Sequence, residues 1–120
     1  NTSRDFVYVE DTVNAMIDLS NSRFRNAEVF NICSGKSIKV TDLVKTISSI
    51  MKIKPKIIID KKRKRPGKSE VDLLLGSNKK VKKMTNWKNK TSFKDGLKKT
   101  INWFNKEENI KHYSSIEYNL

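Results

Sequence analysis

Arg65 and Glu70 are the residues whose types and spacing most clearly suggest chemistry. They lie on one short turn, punctuated by Pro66 and Gly67, with apolar runs at residues 57–59 before it and 71–75 after it. Arginine offers a planar fork of N–H donors that matches a diphosphate, and a nearby carboxylate can accept hydrogen bonds from a ribose diol. This spacing therefore predicts a site for a ligand that carries a nucleotide.

The charge of the chain supports a second interpretation. Lysine and arginine number 26 against 13 acidic residues, so the formal net charge is +13. Such a balance favours phosphate-rich partners, whether nucleic acid, an anionic membrane or a nucleotide. The basic run at residues 61–65 is the sharpest signal, but no aromatic residue is interleaved with it and no nucleic-acid-binding motif surrounds it. Lysine, asparagine and isoleucine are abundant throughout, as a compositionally biased genome would make them. A basic nucleic-acid-binding module therefore remains the alternative, and nucleic acid is not the partner we expect.

Several kinds of site are not supported by the residues present. Cys33 is the single cysteine, which excludes an intrachain disulfide and a multi-thiolate zinc site, and His112 is the single histidine. The segment Ser34-Gly35-Lys36 lacks the earlier glycine of a phosphate loop. No G-x-G-x-x-G fingerprint occurs, and no tyrosine is followed four residues later by lysine. The chain thus shows ligand-binding residues without a catalytic set, and we expect no cofactor and no metal on this segment.

No run of the chain suggests a membrane segment. No apolar stretch approaches the roughly 20 residues that a spanning helix needs, and the first residues lack the basic-then-apolar order of a signal peptide. We therefore expect a cytoplasmic protein with no membrane partner.

Hydrophobic periodicity predicts alternating strands and helices. Short apolar runs predict strands at residues 6–9, 28–32 and 56–60, and a fourth strand or an extended segment at 71–75. Apolar residues at helical spacing predict helices over about 11–21, 42–51, 78–84 and 92–104. This alternation indicates the α/β class, with strands too short and too few for a complete doubly wound sheet. Residues 107–120 are predicted to form a polar tail.

A set of motifs in order gives the chain a family resemblance. It resembles the carboxy-terminal part of the extended short-chain dehydrogenase/reductases that act on nucleotide sugars, the NAD-dependent epimerases and dehydratases. The resemblance covers residues 1–106 and rests on Arg4-Asp-Phe-Val-Tyr-Val-Glu-Asp11, Glu28-Val-Phe-Asn-Ile-Cys-Ser-Gly35, Arg65-Pro-Gly-Lys-Ser-Glu-Val71, Ser77-Asn-Lys-Lys-Val81, Asn86-Trp87 and Gly96-Leu-Lys-Lys-Thr-Ile-Asn-Trp-Phe104.

Within this family the chain is most similar to the 4,6-dehydratases of UDP-N-acetylglucosamine used in legionaminic-type sugar synthesis. The spacing from Arg65 to Glu70 and the ending Tyr118-Asn-Leu120 favour that subgroup. The segment Val71-Asp-Leu-Leu-Leu-Gly76 is also similar to GDP-mannose 4,6-dehydratases, and UDP-glucose 4-epimerases are further relatives. Two positions depart from the usual pattern: Cys33 stands where glycine is common, and Met84-Thr-Asn replaces Leu-Leu-Gly.

The resemblance implies a division of labour between two halves of an enzyme. The first half of such enzymes forms the NAD-binding Rossmann sheet and carries the catalytic Tyr-Lys pair, and it is absent here. The second half binds the nucleotide sugar: Arg4 and Arg65 would contact the diphosphate, and Glu70 would accept the ribose hydroxyls. A whole dehydratase oxidises the sugar at C4 with NAD, eliminates water across C5 and C6, and returns the hydride to C6.

These observations lead to one hypothesis about the whole chain. Residues 1–106 are the substrate-binding carboxy-terminal domain of a 4,6-dehydratase or epimerase, with the Rossmann half absent and residues 107–120 as the tail. The chain is then a fragment or a truncated gene product that turns nothing over alone. Its expected partners are a nucleotide sugar, the missing amino-terminal half and, at full length, a second copy in a homodimer. NAD is the cofactor of the full-length enzyme, and polysaccharide synthesis at the cell surface is its expected role. An inert remnant is the remaining possibility, and it would aggregate or melt without cooperativity.

Overall fold

The computed structural model describes residues 2–23, 27–58, 71–111 and 113. Within them, three short strands form one mixed sheet in the order β2-β1-β3: β1 is Ser3–Asp5, β2 is Ser37–Lys39 and β3 is Leu73–Leu74. The central strand β1 runs antiparallel to β2, with Arg4 opposite Ile38, and parallel to β3, with Arg4 opposite Leu74. The sheet therefore brings the start of the chain beside the segment that follows residue 70.

The predicted helices are confirmed. They are α1 (Val9–Ser20), α2 (Val40–Met51), α3 (Lys79–Met84) and α4 (Phe93–Phe104). Ser92 caps α4, since its hydroxyl accepts a hydrogen bond from the backbone N–H of Asp95. The Ser92 hydroxyl also donates to the carboxylate of Asp95 and lowers the pKa of that group. A further short helix, α5 (Glu107–Ile110), begins the segment predicted as a polar tail.

The α/β class is confirmed, but in the described residues most of the predicted strands are not present where they were expected. The strand predicted at 6–9 is wrong, because β1 ends at Asp5. Residues 28–32 and 56–58 belong to no helix or strand, and residues 59–60 lie outside the described part. The segment at 71–75 pairs only through Leu73 and Leu74, and β2 was not predicted. A strand requires a neighbouring backbone, and apolar content alone does not supply one.

The packed centre of the described chain is small. Ala15 of α1, Val81 of α3 and Trp87 are buried, and Leu19, Phe30 and Ile32 pack against them. Helix α1 is tied to α4 by Lys99, which lies 2.7 Å from Glu10 and over the ring of Tyr8. None of the helices in the described part is both long and apolar enough to cross a membrane.

Candidate functional site

Arg4 lies on the central strand of the sheet, and its side chain contacts the segment that begins at residue 71. Its Nη1 donates to the carbonyl of Val71 at 2.7 Å and to that of Ser3 at 2.9 Å. Val71 directly follows Glu70 in the chain, so the Arg4 guanidinium contacts the first described residue after Glu70. Arg65 and Glu70 themselves lie outside the described residues.

Asp5, the next residue along β1, fixes the backbone around Arg4. Its Oδ1 accepts hydrogen bonds from the N–H and the hydroxyl of Ser34, at 2.8 and 2.6 Å. Its Oδ2 accepts from the N–H of Gly35 at 2.9 Å and more weakly from that of Gly76 at 3.4 Å. One carboxylate therefore holds together the turn before β2 and the segment after β3, the two strands that flank β1.

The turn after residue 32 accommodates the unusual Cys33 because glycine lies opposite it. A Cβ at Gly76 would lie 2.6 Å from the Cys33 sulfur, closer than any real contact. Gly35 adopts a φ of 76°, and the Nδ2 of Asn78 donates to the Cys33 carbonyl at 2.9 Å. Burial raises the pKa of the Cys33 thiol, the charge of Asp5 adds to this, and Gly35 and Lys82 oppose it. The thiol is thus a packed, protonated group, and the departure from glycine leaves the turn formed.

Asp11 plays the equivalent part for the loop that precedes α4. It is buried, and its carboxylate accepts from the N–H groups of Lys90 and Thr91, at 3.2 and 2.9 Å. Its carbonyl accepts from the indole N–H of Trp87 at 2.7 Å. The buried tryptophan and the loop after it are therefore fastened to the first turn of α1.

Sequence reasoning singled out Arg4 and missed Asp5 and Asp11. Both aspartates lie within the Arg-Asp-Phe-Val-Tyr-Val-Glu-Asp motif that carried the resemblance, which is the signal that pointed to them. Their hydrogen-bond partners are far along the chain and become visible only once the sheet and α1 have formed.

The described residues offer no metal site. Among them, no group of three or more His, Cys, Asp and Glu side chains is placed to hold a metal ion. Their polar chemistry is instead that of backbone N–H groups bonded to the carboxylates of Asp5 and Asp11, together with the Arg4 guanidinium, which donates to backbone carbonyls. The guanidinium can bind an anionic ligand, and the described residues contain no general acid or base set against a nucleophile.

Comparisons with known proteins agree on one family. A model of the family described as GDP-mannose 4,6 dehydratase matches residues 1–100. The UDP-glucuronate 4-epimerase of Thermodesulfobacterium geofontis is 29% identical, over 96% of this chain and 33% of that protein. The GDP-6-deoxy-D-mannose reductase of Pseudomonas aeruginosa is 30% identical, over 80% of this chain and 31% of that protein. The chain thus spans about a third of the length of these curated relatives.

Solved structures show the same similarity in three dimensions. The Bordetella bronchiseptica enzyme WbmF, solved in complex with NAD+ and UDP, is 30% identical with a TM-score of 0.70. The alignment covers 92% of this chain and 30% of WbmF. The epimerase Mth375 of Methanothermobacter thermautotrophicus is 25% identical with a TM-score of 0.77, over 92% of this chain and 31% of that chain.

Proposed function

This chain belongs to the GDP-mannose 4,6 dehydratase family, among the extended short-chain dehydrogenase/reductases that act on nucleotide sugars, and we propose that it is the substrate-binding carboxy-terminal part of such an enzyme. Residues 1–106 would form that domain and residues 107–120 its tail. The observation that carries the proposal is the position of Arg4. Its guanidinium contacts Val71, the residue that directly follows Glu70 in the chain.

The proposed site binds a UDP-sugar through two arginines and one carboxylate. Arg4 and Arg65 hold the diphosphate, because a guanidinium remains charged and donates in pairs to phosphate oxygens. Glu70 accepts the ribose hydroxyls. Asp5 keeps Arg4 in register by fixing the backbone on both sides of β1. The UDP in the WbmF complex supports a uridine nucleotide for this chain.

The reaction that we propose for the whole enzyme is 4,6-dehydration or 4-epimerisation, in the synthesis of cell-surface polysaccharide. Among the 4,6-dehydratases, we favour those that act on UDP-N-acetylglucosamine. NAD supplies reversible hydride transfer, and its site together with the catalytic Tyr-Lys pair lies on the half that this chain lacks. The residues of this chain bind and orient the sugar nucleotide. The whole enzyme is proposed to be a cytoplasmic homodimer.

Helix α1 supports the proposal that a larger partner half packs on this chain. Its inner face, through Ala15 and Leu19, packs on the small core. A second apolar stripe at helical spacing lies on another side: Val9, Val13, Met16 and Ile17 are between 47% and 63% exposed. A helix that is apolar on two sides is typical of a buried helix. We propose that the amino-terminal half covers this stripe.

The decisive experiment measures UDP-sugar binding to the full-length protein with and without Arg65. We expect Arg65→Ala to weaken the binding of UDP-N-acetylglucosamine by about 1.5–3 kcal/mol, as the loss of a charge-assisted contact does, and to leave NAD binding almost unchanged. Arg63→Ala is the matched control, since it removes the same charge two residues away in the same basic run. Equal losses for both variants, or a parallel loss of NAD affinity, would show that Arg65 does not contact the diphosphate.

A series of titrations at different salt concentrations distinguishes UDP-sugar binding from nucleic-acid binding. UDP-sugar and a random DNA duplex are titrated against the protein over a range of ionic strength. Tight DNA binding that falls steeply with salt, together with no affinity for UDP-sugar, would replace the proposal with the alternative of a basic nucleic-acid-binding module.

A further inference from the structure

A cavity of about 480 Å³ opens on the β2 side of the sheet and gathers three lysines. Lys36 comes from the turn before β2, Lys82 from α3, and Lys90 from the loop before α4, so separate segments bring them together. Phe6, Ile38 and Phe93 give the cavity an apolar wall, and none of its lining residues is acidic. Its volume lies within the range of ordinary small-molecule sites.

Within the described chain the three lysines have no carboxylate partner, in contrast to Lys80 and Lys99. Lys80 of α3 and Lys99 of α4 form ion pairs with Glu28 and Glu10, at 2.6 and 2.7 Å. For Lys36, Lys82 and Lys90, no such partner lies within ion-pair distance among residues 2–23, 27–58 and 71–111. Ammonium groups that share one concave space repel one another, and a bound anion removes that repulsion.

The walls of this cavity are held in place without the ligand. The Asp5 carboxylate fixes the Ser34 and Gly35 backbone, and the buried Asp11 fixes the N–H groups of Lys90 and Thr91. Both carboxylates are therefore occupied by backbone donors. Because these walls are already ordered, ligand binding loses less conformational entropy than it would in a mobile site.

Asn89 adds an amide side chain to the lining of the cavity. The side-chain oxygen of Asn89 is buried and has no hydrogen-bond partner among the described residues. A side-chain amide can hydrogen-bond to a hydroxyl group, whereas phosphate oxygens suit the lysines. The combination favours a ligand that carries both groups.

We propose that this cavity is a second ligand site, for a small phosphorylated polyol with at least two negative charges. Of the residues assigned to the nucleotide-sugar site, Arg4 lies in the described part of the chain and does not line the cavity, since its Nη1 donates to Val71 on the β3 side of β1. We place the second site apart from the first on that ground. The site is concave and bounded by apolar rings, which favours a compact anion over the extended backbone of a nucleic acid.

The test is calorimetric titration of the 120-residue chain carrying Arg4→Ala and Arg65→Ala, so that the proposed diphosphate site contributes nothing. Fructose 1,6-bisphosphate and inorganic pyrophosphate are the probes. In this background we compare Lys36→Gln/Lys82→Gln/Lys90→Gln with Lys39→Gln/Lys83→Gln/Lys88→Gln. The second set lies close by in sequence, does not line the cavity and changes the net charge equally. Emission from Trp87 and Trp103 verifies that each variant keeps the native fold.

We expect saturable binding that is tighter for the bisphosphate than for pyrophosphate. The cavity set should weaken it about tenfold or more and the control set less than about twofold, as the summed loss of close charge contacts implies. Amide shifts at Ser34, Lys36 and Thr91 in a titration of the unmutated chain should report the same site. Equal losses in the two sets, or no saturation at about 10 mM probe, would overturn the proposal. Displacement of the bisphosphate by a random DNA duplex would reassign the cavity to nucleic acid. None of these outcomes depends on whether Arg4 and Arg65 bind a nucleotide sugar.

Discussion

Replacing Asp5 by asparagine should destabilise the fold and change the ionisation of Cys33 together. Asparagine keeps one acceptor oxygen and puts an NH2 group where the other stood. If the asparagine oxygen accepts from Ser34, its NH2 group faces the N–H groups of Gly35 and Gly76, and two donors then meet. If the amide is turned the other way, the oxygen accepts from Gly35 and Gly76, and Ser34 loses its bonds to this side chain. Whichever way the amide turns, part of the set is lost and the rest is no longer charge-assisted.

The size of the effect follows from the burial of these donors. A hydrogen bond to a charged group contributes about 1.5–3 kcal/mol when buried, and here Gly35 is exposed and can bond to water instead. We therefore expect a loss of about 1–3 kcal/mol in the free energy of unfolding. With an m value of about 1–3 kcal/mol/M in urea, the midpoint should fall by roughly 1 M. Tryptophan emission, to which the buried Trp87 contributes together with Trp103, reports the transition.

Cys33 supplies an independent measurement on the same variant. Burial is the largest cause of its raised pKa and the charge of Asp5 is the second, so Asp5→Asn should lower that pKa. The pH profile of thiol labelling measures the pKa apart from any change in the rate of opening. Asp18→Asn on α1 is the control, because no side-chain hydrogen bond of Asp18 is present among the described residues. An unchanged urea midpoint together with an unchanged Cys33 profile would refute the role assigned to Asp5.

Three further predictions test the packing around the site. Gly76→Ala should cost about 1–3 kcal/mol of stability, because the new methyl group meets the Cys33 sulfur, and Cys33→Gly should restore it in a double-mutant cycle; additive losses would contradict this contact. Ser92→Ala should cost about 1 kcal/mol through loss of the α4 cap, and it should raise the pKa of Asp95 in an NMR titration. The lowered pKa of Asp95 means that its contribution is present above the ordinary value of 3.8 and lost as pH falls through the lower folded value, so Ser92→Ala should reduce the acid dependence of stability. Met16→Lys should impair assembly of the full-length protein more than the stability of this chain, and equal effects on both would argue that the amino-terminal half does not cover α1.

The helices could be predicted from the sequence because their signal is local. Leu43, Val44 and Ile47 recur at helical spacing, and Ser92 with Asp95 marks the start of α4. The strands could not be predicted in the same way. Ser3–Asp5 and Ser37–Lys39 are polar and three residues long, and they are strands only because each meets the other's backbone. Residues 28–32 are apolar enough for a strand, yet within the described chain they have no strand beside them.

In the candidate site too, the residues differ in whether the sequence alone could identify them. Arg4 was predicted through the resemblance, and its contact with Val71 joins two segments that are distant in sequence. Nothing in the local sequence distinguishes Asp5 and Asp11 from other aspartates, because the backbone N–H groups that they accept from belong to turns distant in sequence. Their roles depend on tertiary structure, which single-sequence patterns do not encode. The roles of Arg65 and Glu70 stay predictions.

The order of strands in the sheet has a consequence for how the protein is made. Of the three strands, the central strand β1 is synthesised first and its parallel neighbour β3 last. During synthesis the polar Ser3–Asp5 segment therefore stays unpaired until β2 and then β3 have been made. The Asp5 carboxylate remains hydrated until the backbone N–H groups that donate to it are in place. Closing such distant segments is slow compared with forming a helix. We expect α1 and α2 to form early in translation, and the half of the site around Arg4 to be assembled last.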